Sequence, residues 1–168
     1  MHFTLHLLHI DESAALGLSA EQAVVRAAAV AATASQYCQE AGVQYHSVPL
    51  EAVFDAGSSD GAAAAYLAAA DLQRRAEQRS RLAALLSAVP DVTGRQDMAR
   101  HLRIRLLLHS AAALGCGRLA RGDCATALAT HIVAAAAKGC GYSLPGDVRL
   151  VDARCADGAG GAGCRDAA

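Results

Sequence analysis

The hydrophobic pattern of this chain predicts a three-layer α/β sandwich on a mostly parallel sheet, and three observations carry that prediction. Phe3-Thr4-Leu5-His6-Leu7-Leu8-His9-Ile10 alternates at first and then becomes continuously apolar, as a largely buried strand does. Strand-like stretches are separated by long helical ones, which implies crossover connections and a parallel sheet covered on both faces. Finally, Leu119-Ala120-Arg121-Gly122-Asp123-Cys124-Ala125-Thr126 reads as a short buried strand turning into the N-terminus of an alanine-rich helix. Open α/β sheets bind their ligands at such junctions.

The first strand ends at Asp11-Glu12-Ser13. Ser19 with Gln22 has the spacing of a capping box, so a helix is expected from Ala20 to about Ala41, where Gly42 stops it. Val43 to Val48 is the second strand, and Pro49 ends it. A Gly/Ser/Asp stretch around Asp55 to Gly61 predicts a mobile linker to a helix over Ala62 to about Ala88, which carries Arg74, Arg75, Arg79 and Arg81. After Pro90, Thr93 with Gln96 supplies a second capping-box spacing for a helix over Arg95 to about Ala113, with Arg100, Arg103 and Arg105 on it. Gly115 and Gly117 bracket its exit. The strand before Gly122 leads to a helix from Asp123 to about Lys138, capped by Asp123 and closed by Gly139, with Lys138 against the negative end of the helix dipole. Asp147 to Asp152 predicts a fourth strand. Residues 1–153 then form one α/β domain, and the Gly/Ala-rich residues 154–168 are expected to be disordered.

Composition narrows the function classes. The hydrophobic fraction of 54% is inflated by alanine, about a quarter of the 168 residues, so long helices and small packing residues are expected. Fifteen Lys and Arg against sixteen Asp and Glu give a net charge of -1, which excludes a global attraction to nucleic acid and leaves only local patches. No run approaches the roughly 18 apolar residues that span a bilayer, and Met1 leads straight into strand-like sequence. The reading is a cytoplasmic chain with no membrane partner. Cys38, Cys116, Cys124, Cys140, Cys155 and Cys164 contain no CxxC pair and no zinc-finger spacing, so they read as small reduced core residues and no metal site is expected. His101 and His109 lie about two helical turns apart, too far to share a metal, and His2 and His6 are similarly separated along their strand.

In a parallel sheet the carboxyl ends of the strands bring Ile10-Asp11, Pro49 to Glu51 and Gly122-Asp123 to one edge, where a nucleotide-sized crevice is expected. The candidate ligand-binding residues are Ile10, Asp11, Gly122, Asp123 and Thr126, with Gly122 allowing close approach. No GxxxxGK[ST] or GxGxxG loop follows any strand, so phosphate has no dedicated cradle. Asp123 at a helix start would repel a phosphate, which suits that terminus to a ribose hydroxyl, an adenine edge or simple capping. A helix N-terminus favours the thiolate of Cys124 but the neighbouring carboxylate opposes it, so Cys124 reads as a small helix residue and no catalytic residue is assigned. Arg74, Arg75, Arg79, Arg81, Arg100 and Arg103 are either a solvated helix surface or, in part, contacts to nucleic-acid phosphates.

Four blocks carry a family resemblance. Leu8-His9-Ile10-Asp11-Glu12-Ser13, then Gln44 through Phe54, then Gly122-Asp123-Cys124-Ala125-Thr126-Ala127-Leu128-Ala129, and finally Lys138-Gly139-Cys140-Gly141-Tyr142-Ser143-Leu144-Pro145 resemble, in order and separation, the cytoplasmic tRNA 2-thiolation protein 2 family. The resemblance spans roughly residues 5 to 153. It implies an adenine nucleotide α-hydrolase-like (Rossmann-like) fold and a chain truncated at both ends, lacking the first strand and its SGGxxS-type phosphate loop. It also implies a largely non-catalytic subunit in a heterodimer with a catalytic tRNA 2-thiolation protein 1-type partner. That partner adenylates the wobble uridine of tRNA and transfers sulfur from a ubiquitin-related carrier, with ATP bound at the level of the complex. The six arginines would then face tRNA. Two other readings stay open: a nucleotide-binding regulatory module of the universal-stress-protein type, and an interaction module with no ligand.

Overall fold

The computed structural model describes residues 4–55 and 72–148. The expected linker at 55–61 apart from Asp55, the first half of the helix begun at Ala62, most of the fourth strand and the 154–168 tail lie outside the described residues. The chain divides into two compact units at Leu119–Ala120.

In the first unit the elements run β1 (His6–Asp11), α1 (Ala20–Ala41), β2 (Gln44–Pro49), a tight helical turn (Leu50–Phe54), α2 (Leu72–Ser87) and α3 (Val92–Ala113). β1 and β2 pair in parallel, with His6 opposite Gln44 and Asp11 opposite Pro49. Both strands and the helix between them stand where the hydrophobic pattern puts them. The capping box forms as expected, with Ser19 accepting from the Gln22 amide and the Gln22 side chain accepting from the Ser19 amide. Gly42 ends α1 at φ 66°, a left-handed conformation that glycine adopts without the strain a Cβ would bring, and its N–H returns to the Cys38 carbonyl.

Strand alternation sorts the side chains of the sheet onto two faces. Leu8, Ile10 and Val48 point to the face where Leu82 and Leu86 of α2 and Leu106, Met98 and Leu102 of α3 pack. Leu50 and Ala52, from the turn that directly follows β2, complete this core, and Leu50 and Leu82 are 0% exposed. On the opposite face Leu7 and the α1 residues Ala29, Val30, Thr33, Ala34 and Tyr37 line an open groove of about 470 Å³. This unit is thus helix, sheet and helix pair, an α/β arrangement compatible with a Rossmann-like fold.

One expectation of the first unit needs correction, and one element is new. α3 starts at Val92, and its cap is Asp91, whose carboxylate accepts from the Gly94 amide at 2.7 Å. Thr93 lies inside the first turn, so the Thr93–Gln96 pair is no capping box: a stronger acceptor two residues earlier already serves the free amides. The stretch Leu50–Phe54, which the sequence left without an assignment, is a tight helical turn whose Leu50, Glu51, Ala52 and Val53 are all buried.

The second unit holds α4 (Ala125–Ala137) and a single helical turn, α5 (Leu144–Asp147). The strand expected before Gly122 is absent. Residues 118–124 have no regular secondary structure and are exposed, because Leu119 and Ala120 are too few apolar side chains to draw Arg118, Arg121 and Asp123 into a core. Asp147, the expected start of a fourth strand, ends α5 instead, and Val148 follows as a bend. Among the described residues the sheet therefore has two strands, and no helix is long and apolar enough to cross a membrane.

Leu82 has no route to relaxation, since sheet, turn and α3 all press on it. Leu82→Ala is expected to destabilise the chain by about 2–5 kcal/mol in urea unfolding, whereas Val24→Ala, at a residue of α1 that is 69% exposed, should change stability by less than about 0.5 kcal/mol.

Candidate functional site

The parallel register ends both strands together, so Asp11, Glu12 and Ser13 emerge beside Pro49, Leu50 and Glu51. The Asp11 carboxylate accepts from its neighbour Ser13 twice, from the amide at 3.0 Å and the hydroxyl at 2.5 Å. That local turn buries Ser13 and aims the chain toward α1. Glu12, one residue further, takes both arms of the Arg103 guanidinium from α3, one at 2.8 Å. Asp55 closes the far side of the rim. It accepts from Arg74 at 2.6 Å and from the buried Gln78 amide, both on α2.

Glu51 sits in the middle of this rim and is only 6% exposed. Burial pushes its carboxyl above the ordinary glutamate value. A hydrogen bond to its own backbone and the charges of Arg75 and Arg79 oppose that rise, while Asp11 adds to it. Arg79 is held in place by donating to the Leu18 carbonyl, and Arg81 lies over the Phe54 ring at 4.8 Å. The edge thus assembles four carboxyl groups, Asp11, Glu12, Glu51 and Asp55, with four guanidinium groups, Arg74, Arg75, Arg79 and Arg103. A rim so balanced holds its loops together without concentrating anions.

The residues singled out from sequence separate accordingly. Asp11 is at the edge, opposite Pro49, but Ile10 packs into the core. Gly122, Asp123 and Thr126 belong to the second unit. Among the described residues, its chain neighbours aside, nothing lies within 4 Å of a Cβ built on Gly122, so no packing there requires a glycine. Asp123 does not cap α4. It pairs with Arg121, and Cys124 is the cap, its sulfur accepting from the Ala127 amide at 3.5 Å. An arginine two residues away competes better for the carboxylate than the helix amides do. Thr126 stands exposed in the first turn, its carbonyl accepting from the Thr130 hydroxyl at 2.9 Å. Of the six arginines, Arg74, Arg79, Arg81 and Arg103 contact groups of this chain, Arg100 is half-buried on α3, and Arg75 is exposed beside Glu51.

Sequence reading missed Glu12, Glu51 and Asp55 as arginine partners. A signal existed for Glu51: Pro49 followed by Leu-Glu-Ala-Val-Phe is the pattern of a helical turn entered from a proline, with its acid in the first positions. Among the described residues no three metal-ligating side chains gather, and Cys124 and Cys140 are exposed thiols while Cys38 is buried.

Comparison with known proteins gives one consistent name. The chain is similar to cytoplasmic tRNA 2-thiolation protein 2 of Arabidopsis thaliana, with 37% identity over 109 residues, which is 65% of this chain and 20% of that protein. The corresponding proteins of Oryza sativa subsp. indica and Phaeosphaeria nodorum are 38% identical over 109 residues and 33% identical over 101. These cover 65% and 60% of this chain, and 20% and 26% of the relatives. The chain spans about a fifth to a quarter of the length of these curated relatives. No protein-family model matches it, and no solved structure does.

The Glu51 carboxyl yields a pH test with a definite sign. Because its folded value lies above the unfolded one, the native state binds the extra proton, and stability falls as pH rises through the window above about 4.5. Glu51→Gln should remove that loss, so the variant's melting temperature minus that of the parent should increase from pH 4 to pH 7. A constant difference would mean that Glu51 ionises in the folded chain as freely as in the unfolded one.

Proposed function

We propose that this chain forms a non-catalytic part of a cytoplasmic complex that 2-thiolates the wobble uridine of tRNA. The observation that carries the reading is the 37% identity over 109 residues to a protein named for tRNA 2-thiolation. In this reading a catalytic sister subunit adenylates the uridine C2 oxygen, and sulfur from a ubiquitin-related carrier displaces AMP. This chain then contributes structure and tRNA contacts.

The chemistry of the rim supports that division of labour. A triphosphate needs converging amides or several unpaired cations, and the β1–β2 edge presents four carboxyl groups while Arg74, Arg79 and Arg103 are engaged with groups of this chain. The described residues there do not fit ATP, and in this reading the nucleotide binds elsewhere in the complex. Contact with tRNA falls to α2, where Arg75 is exposed and Arg74 keeps 59% of its side chain accessible despite its ion pair.

Two measurements test this. Co-expression with a catalytic sister subunit should raise wobble-uridine thiolation, read by mass spectrometry of the tRNA, above the level that the sister subunit reaches alone; equal levels would refute the assignment. Within such a complex, Arg75→Glu should weaken tRNA binding and flatten the slope of log affinity against log salt by about 0.7–0.9 for the lost phosphate contact. An unchanged slope would return Arg75 to a purely structural role beside Glu51.

A further inference from the structure

The end of the sheet opposite the rim carries a pair of imidazoles that the function above does not use. His6 and His46 stand on the same face of adjacent strands, two positions apart in register, since Leu8 is the direct partner of His46. Their rings tilt by 31° with centroids 5.3 Å apart, and His6 Nδ1 lies 3.1 Å from His46 Nε2. Both residues are half-buried, so their rings are held by the sheet and remain accessible.

We propose that His6 Nδ1 and His46 Nε2 form a two-imidazole chelate for a divalent d-block cation of the zinc type. With metal–nitrogen bonds of about 2.0–2.1 Å, two nitrogens on one such ion are separated by roughly 2.9–3.4 Å for bond angles from 90° to tetrahedral, and the observed separation lies within that interval. Imidazole nitrogen suits zinc, copper and nickel, whereas magnesium and calcium prefer oxygen. Without metal the two nitrogens share one N–H. Chelation requires that proton to move to the other nitrogen of the same ring, so each imidazole stays neutral and nothing is oxidised. The two rings then turn their lone pairs toward a common point, and water fills the remaining positions, because no third ligand gathers among the described residues.

The test is a titration of the full chain with Zn²⁺ alone, thiols kept reduced, followed by long-range ¹H–¹⁵N spectra of the histidine rings. His6 Nδ1 and His46 Nε2 should shift together with a single dissociation constant, and the other imidazoles should not follow that curve. In His6→Gln the response of the His46 ring should weaken by at least about tenfold, and His46→Gln should do the same to His6, since even an outer-shell partner is typically worth about 10–100-fold in metal affinity. Rings that do not respond, or a zinc response confined to cysteines, would overturn the proposal. So would a His46 response that survives in His6→Gln.

Discussion

Burial of the helical turn Leu50–Phe54 is the contact on which the first unit depends. It follows β2 without a break, so the sheet delivers it, and both α2 and α3 pack on it. Leu50 and Ala52 join Val48 from the sheet to Leu82 and Leu106 from the helices in one cluster. Hydrophobic burial of this kind is non-directional, but a short turn has few ways to present two apolar side chains to two helices at once. The price is Glu51, a carboxyl group carried into the interior by its neighbours.

That carboxyl group connects packing with electrostatics. A buried acid is tolerated when cations or hydrogen bonds stand near it, and here Arg75 and Arg79 come from the same helix that supplies Leu82 and Leu86. The arginines of α2 and α3 are therefore neither a free surface nor a ready-made phosphate site. Exposed pairs such as Arg74–Asp55 contribute little to stability individually. Their larger effect is on what the edge can attract. The acids of the loops offset much of its positive charge, so the rim as a whole does not concentrate anions.

Local signals were legible in the sequence and long-range ones were not. β1, α1 and β2 follow from periodicity, and the Ser19 capping box and the Gly42 stop follow from residue chemistry within one helical turn. Thr93 misled because two potential caps compete within three residues, and the carboxylate of Asp91 wins. Leu119 and Ala120 misled because apolar character over two residues does not make a strand unless a sheet edge is there to receive it. Asp123 was read against the helix amides, while its partner was the adjacent Arg121. At the candidate site, the carboxyl ends of β1 and β2 were correctly paired through topology. The partners of Arg79 and Arg103 lie 61 and 91 residues away and carry no trace in local sequence.

The Glu12–Arg103 bridge has a bearing on how the chain is made. Its two halves are 91 residues apart, and loop closure over that distance is entropically slow to be rewarded. At roughly 5–20 residues per second of ribosomal synthesis, β1 waits on the order of 5–18 s for its α3 partner to emerge. Glu12 is thus the last carboxyl group of this rim to meet its cation, since Arg74, Arg75 and Arg79 all leave the ribosome before Arg103.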